Sequence, residues 1–118
     1  MQTVLAVDDS ETMRQMVKMT LQTGNYQVVL AGDGEEGLSK FISTHDVDLV
    51  VTDINMPKMD GIGLIREIRL RNKEVPILAL TTESEDAMRK QGEAAGANGW
   101  MTKPFKPAQF MEVVHRII

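Results

Sequence analysis

Leu49-Val50-Val51-Thr52-Asp53-Ile54-Asn55-Met56-Pro57 is the stretch that decides how this chain is read. Four residues suited to a buried strand run straight into an aspartate, and the Asn-Met-Pro that follows turns the chain out of the sheet. A carboxylate is thereby delivered to a loop at the end of a buried strand. Two other runs end in the same way: Val4 to Val7 leads into Asp8-Asp9, and Gly99 to Thr102 leads into Lys103-Pro104-Phe105.

Outward from that stretch, apolar β-branched runs alternate with helical patterns about five times, the mark of βαβ units and a parallel sheet. Strands are expected at Thr3–Val7, Gln27–Ala31, Asp48–Thr52, Ile77–Thr81 and Gly99–Thr102. The first, third and fourth are almost continuously apolar, which places them innermost, under helices on both faces. Met13, Met16, Val17, Thr20 and Leu21 recur at helical spacing through Glu11–Thr23, with Gly24-Asn25 as a stop. Asp33 and Glu36 form a capping-box pattern that opens a helix ending at Ser43. Asp60-Gly61 opens a third helix, with Leu64, Ile65 and Ile68 inward and Arg66, Glu67, Arg69 and Arg71 on the wet face. A last helix over 107–118 begins with proline at a tolerated position and repeats Phe110, Val113, Val114 and Ile117. The fourth helix, expected over Glu85–Ala95, has a face of small residues around Gly92, Ala94 and Ala95. That face is either weakly anchored or packed very closely on the sheet.

With 118 residues, the chain is expected to form one domain, 1–118, able to bury about two thirds of its unfolded surface. Hydrophobic residues at 42% and charged residues at 25% describe an ordinary globular protein. A net charge of -4 argues against a nucleic-acid or anionic-membrane binder, since both need a basic surface. The absence of cysteine excludes disulfides, thiolate metal sites and cysteine nucleophiles. A first strand starting at Thr3 leaves no room for a signal peptide, and no run approaches membrane-spanning length, so a cytoplasmic protein is expected.

In a parallel sheet the C-terminal strand ends share one edge, where open α/β folds place their ligand crevice. Asp8, Asp9, Asp53, Thr81 and Lys103 are therefore expected together. Two carboxylates about 4 Å apart repel by roughly 4 kcal/mol at an effective dielectric of about 20. A hard divalent cation would offset that repulsion, and Mg²⁺ suits a small all-oxygen site that keeps several waters. Lys103 adds a point charge able to hold a phosphoryl oxygen, and Thr81 adds a hydroxyl. The combination fits phosphoryl transfer onto a carboxylate, with Asp53 as nucleophile.

Four motifs in order then carry a resemblance that spans the chain: Val7-Asp8-Asp9-Ser10; Asp53-Ile54-Asn55-Met56-Pro57 with Met59-Asp60-Gly61; Thr81-Thr82-Glu83; and Lys103-Pro104-Phe105. The chain resembles the receiver domains of two-component signalling, in particular the CheY-like stand-alone response regulators. The resemblance implies a flavodoxin-like, doubly wound five-stranded parallel sheet of order 2-1-3-4-5 with five helices. It implies that Asp53 is the phosphoacceptor for a CheA-like histidine kinase. It implies Mg²⁺ held by Asp9, Asp53 and the Asn55 backbone carbonyl, with Asp8 assisting through water, and a cis peptide between Lys103 and Pro104. Thr81 and Trp100 would be the switch pair, acting on an output face made by the fourth helix, fifth strand and fifth helix. Asn55 and Glu83 would tune the lifetime of the phosphoryl group, and a phosphatase would be a further partner. The protein would be a monomeric signalling protein, not a turnover enzyme, in chemotaxis or a related motility pathway. A phosphate sink, or a regulator of surface motility or development, is the alternative: Glu85, Asp86 and Arg89 differ from the basic, aliphatic face of motor-binding relatives. A start at Met1 and an end at Ile118 fit an independent protein.

Two rivals share parts of this pattern. A haloacid-dehalogenase-like phosphatase would carry a second aspartate two residues after the first, where this chain has Asn55. A flavodoxin-like cofactor carrier would want a phosphate loop after the first strand, where Asp8-Asp9 would repel a phosphate. The nine methionines suit gap filling, with Met19 off the inward stripe. His45 and His115 are expected at the surface, and the basic run from Arg66 to Lys73 is expected to be a solvated helix end.

Overall fold

The computed structural model describes residues 1–82 and 86–118, with 86–88 described by backbone alone. The chain runs β1 (Thr3–Val7), α1 (Glu11–Thr23), β2 (Gln27–Ala31), α2 (Gly34–Ser43), β3 (Val47–Asp53), α3 (Gly61–Arg71), β4 (Ile77–Thr81), α4 (Asp86–Ala95), β5 (Gly99–Thr102) and α5 (Pro107–Ile117). The five strands are parallel in the order β2-β1-β3-β4-β5, the expected α/β topology. The three most apolar strands are the inner three. Glu83 and Glu85 lie outside the described residues.

Alternation along each strand divides the core in two. Val4, Ala6, Leu49, Val51, Leu78 and Leu80 face α1 and α5 and meet Val17, Leu21, Phe110 and Val114. Leu5, Val7, Val50, Ile77 and Ala79 face the other way and meet Ile62, Leu64, Ile65 and Ile68 of α3. Burying each large side chain contributes about 1.5–3 kcal/mol, so the inner strands are held from both sides. Met19 is exposed, off the stripe as its spacing predicts.

Strand β3 is longer than its apolar run. Its register on β1 slips between Thr3 and Val4, where Asp48 is skipped. The Thr3 amide donates instead to Asp48 Oδ2 at 2.8 Å. Beyond this irregularity Val7 pairs with Thr52, and Asp53 pairs with Leu80.

Helix starts follow their cap residues. Ser10, Asp33 and Asp60 each accept from the amide three residues on, at 3.3, 2.8 and 2.8 Å. Glu36 closes its box one residue further back than the standard pattern, accepting from the Gly32 amide at 2.6 Å. One expectation for the helices is revised, and one open alternative is decided. Arg69 is not on a wet face: it is half-buried and turns onto the loop after α4. Of the two readings of α4, close packing holds at its centre, because a Cβ added to Gly92 would stand 2.7 Å from Trp100 Cζ3.

Candidate phosphoacceptor site

The register sets the site. Because Val7 pairs with Thr52, the next residues, Asp8 just past β1 and Asp53 at the last position of β3, stand side by side. Because Thr81 pairs with Thr102, Lys103 leaves beside the end of β4. The Lys103 amide donates to the Thr81 carbonyl at 2.7 Å, which carries the β4–β5 pairing one step beyond the strands. The Lys103-Pro104 peptide is cis, as the resemblance implies.

Asp8, Asp9 and Asp53 each offer a carboxylate oxygen, and these oxygens lie within 4.8 Å of one another. Asp8 and Asp53 are buried while Asp9 is exposed, so the cluster opens to solvent on one side. Lys103 Nζ stands 2.8 Å from Asp8 Oδ2 and 3.4 Å from Asp53 Oδ2, with its side chain only 13% exposed. The second oxygen of each buried carboxylate is held by an amide: Ser10 N on Asp8 Oδ1 and Ile54 N on Asp53 Oδ1, both at 2.9 Å. One lysine thus faces two carboxylates, with a third beside them. Burial pushes the Asp53 carboxyl above its ordinary value, Lys103 opposes the rise, and Asp8 adds to it. Burial pulls the Lys103 ammonium down, but its hydrogen bond to Asp8 and the two nearby negative charges outweigh that and raise it.

Glycine lets the loops come this close. A Cβ on Gly61 would strike the Asp53 carbonyl oxygen and stand 2.7 Å from Ile54 Cα, so the start of α3 backs directly onto the aspartate. The Gly61 amide donates to the Ile54 carbonyl at 2.8 Å. Gly34 does the same from α2, its amide donating to the Met59 carbonyl at 3.1 Å. The loop bearing Asp53 is therefore clamped between two helix starts. Lys58, within it, takes φ of 67° and lies 3.8 Å from Asp33.

The other sequence-predicted residues fall as follows. Thr81 is fully buried at the end of β4. Trp100 pairs with Ala79, so Trp100 and Thr81 point to the same face of the sheet, and the indole packs half-buried against the α3 side of the core. Asn55 is exposed two residues beyond Asp53. His45 is exposed beside Asp46, and His115 shares a 3.0 Å hydrogen bond with the Tyr26 hydroxyl. Sequence reasoning missed Arg14, whose NH1 donates to the Asp8 carbonyl at 2.7 Å and braces the acidic loop from α1. Its only signal was a cation one helical turn after the Ser10 cap, too common a pattern to single out.

The family model for the response regulator receiver domain matches residues 4–115. Chemotaxis protein CheY1 of Helicobacter pylori is 37% identical over 118 residues, covering 98% of this chain and 95% of the relative. The Bacillus subtilis alkaline phosphatase synthesis transcriptional regulatory protein PhoP is also 37% identical, but this chain spans only 48% of its length. Among solved structures, Vibrio cholerae CheY4 superposes with a TM-score of 0.95 at 42% identity, covering 100% of this chain and 99% of that one. The CheX-CheY-BeF3-Mg+2 complex from Borrelia burgdorferi matches with a TM-score of 0.94 at 27% identity, covering 98% and 88%. Among the described residues no helix is long and apolar enough to cross a membrane. The chain belongs to the response regulator receiver domain family.

Proposed function

We propose that this protein is a phosphorylation-dependent signalling switch in which Asp53 accepts a phosphoryl group from a histidine kinase. The observation that carries this reading is one partly neutralised cluster: Asp8, Asp9 and Asp53 share a small volume with Lys103 as the cation held against two of them. An aspartate oxygen attacks phosphorus on the kinase imidazole. An O–P bond forms as the N–P bond breaks, and the electron pair stays on the imidazole nitrogen. Asp53 must be ionised to attack; burial disfavours that form and Lys103 opposes the burial, so uptake is lost as the group protonates.

The all-oxygen donor set and its open side at Asp9 fit Mg²⁺, which Asp9, Asp53 and the Asn55 carbonyl would hold, with Asp8 assisting through water. When bound, Mg²⁺ supplies the positive charge that offsets carboxylate repulsion and the charge of the transferred oxygens. Lys103 holds one phosphoryl oxygen, and the Thr81 hydroxyl turns toward another. Because Thr81 and Trp100 share a sheet face, displacement of one reaches the other, and the output surface is formed by α4, β5 and α5. Chemotaxis is the favoured pathway, supported by end-to-end likeness to CheY1 and CheY4. Equal identity to PhoP over the 48% of its length that this chain spans keeps a different output as the second reading.

Incubation with a small acyl phosphate and Mg²⁺ is expected to add one acid-labile phosphoryl group, read by intact mass, and none to Asp53→Asn. Equal modification of both proteins would overturn the assignment. Capture on phosphorylated protein of a flagellar-motor component, against a kinase or regulator alone, separates the two pathways.

A further inference from the structure

Arg69 sits on α3, outside the four motifs that form the acidic site, yet makes three hydrogen bonds at one place. Its Nε donates to the Gly96 carbonyl at 3.0 Å, Nη2 to Asn98 Oδ1 at 2.8 Å, and Nη1 to the Asn72 carbonyl at 3.1 Å. Asn98 Oδ1 also accepts from the Ile77 amide at 2.8 Å, and the Asn98 amide donates back to the Ile77 carbonyl at 2.8 Å. One guanidinium therefore ties together the end of α3, the start of β4 and the loop from α4 to β5. The planar fork suits this task, since its donors diverge toward separate acceptors in fixed directions.

The loop is shaped to receive it. Gly96 adopts φ of 119°, and a Cβ there would lie 2.7 Å from Arg69 Cγ. The Gly96 and Ala97 amides turn back onto the Gly92 carbonyl at 3.2 and 3.0 Å, ending the helix. Gly92 in turn rests on Trp100. Arg69, Gly96, Gly92 and Trp100 thus form a continuous line of contact from α3 to the indole.

We propose that Arg69 is a positioning residue for the output surface: it anchors the C-terminal end of α4, so that a displacement begun at Thr81 turns the helix about Gly96 over Trp100 instead of sliding it along its axis. This rests on the phosphorylation-switch reading for its signal, but the anchor itself exists in the unphosphorylated protein. With the Gly96 end fixed, a displacement of α4 is read as a change in the contact between Gly92 and the indole.

The test uses Arg69→Ala, Arg69→Lys, Gly96→Ala, Asn98→Ala and Asn98→Asp in the full chain. In unphosphorylated protein, amide hydrogen exchange at Ile77, Ala97 and Asn98 is expected to speed up about tenfold in Arg69→Ala, as the loss of one or two net hydrogen bonds would produce. Amides of the inner strands Leu5 and Val50 are expected to stay unchanged, which separates a local anchor from general destabilisation. Asn98→Asp keeps the acceptor and should exchange like the parent, whereas Asn98→Ala should follow Arg69→Ala. Arg69→Lys should not rescue, because an ammonium lacks the fork.

With the acyl phosphate donor, Arg69→Ala and Gly96→Ala should still take up phosphate on Asp53 by intact mass, with the Trp100 emission change cut by at least about half. Unchanged exchange and an unchanged Trp100 response in both variants would overturn the anchor. Failure of the parent protein to take up phosphate would sink the switch reading while leaving the exchange result to judge the anchor alone.

Discussion

Lys103 and Arg69 are both cations drawn in from solvent that bridge separate elements, and they end in opposite electrostatic situations. Lys103 faces two carboxylates, with a third close by, and leaves negative charge in excess. Arg69 faces carbonyl and amide oxygens and has one neutral partner for each of its three nitrogens. The first region is unfinished: it gains from a divalent ion or from a reaction that redistributes its charge. The second is complete, and its value lies in not moving. A switch needs both, a place where a small chemical change has a large electrostatic consequence and a fixed point against which the consequence becomes a motion.

The comparison breaks most readily at the acidic end. Chelation of Mg²⁺ is expected to slow phosphate uptake from the acyl phosphate by tenfold or more, on the order of 1.4 kcal/mol or above in the barrier. Stopped-flow uptake with and without chelator measures it, and equal rates would mean that Lys103 alone suffices. Lys103→Ala is expected to fold normally and abolish the Trp100 emission change on phosphorylation; an intact change would remove the lysine from the switch.

A packing prediction comes next. Gly61→Ala places a methyl against the Asp53 carbonyl and should destabilise the protein by roughly 2 kcal/mol or more. Urea unfolding measures this, and a parental midpoint would show that the loop can relax without cost.

A smaller effect follows from the charge imbalance itself. Because the folded-state pKa of Asp53 is raised, the folded protein binds the extra proton in the window just above the ordinary carboxylate value. Stability therefore falls as pH rises through that window. Asp53→Asn removes the buried charge while leaving Lys103 its bond to Asp8, so it should be more stable at neutral pH, on the order of 1 kcal/mol, and should lack that fall. Denaturation across pH reads both, and lower stability of the variant would mean that the Lys103 contact outweighs burial.

Much of the acidic region was legible in the sequence because strands that end on charged residues are a one-dimensional signal: Asp8, Asp53 and Lys103 each terminate an apolar run, and parallel topology does the rest. The Arg69 region was not. On α3 it looks like any cation of a solvated face, and its partners lie 27 and 29 residues away on a loop whose turn depends on Gly96. The irregularity at Asp48 was hidden for a similar reason, since a skipped residue in a strand leaves the hydrophobic pattern nearly intact. Trp100 was readable as half-exposed on an edge strand, but its contact with Gly92 required the packing of α4.

The most direct test is to locate the phosphoryl group among the three neighbouring carboxylates. Wild-type protein treated with acyl phosphate and Mg²⁺ would be trapped by borohydride reduction of the acyl phosphate and mapped by peptide mass spectrometry. The reduced residue is expected at Asp53 alone; a label at Asp8 or Asp9, or at no aspartate in the cluster, would contradict the account.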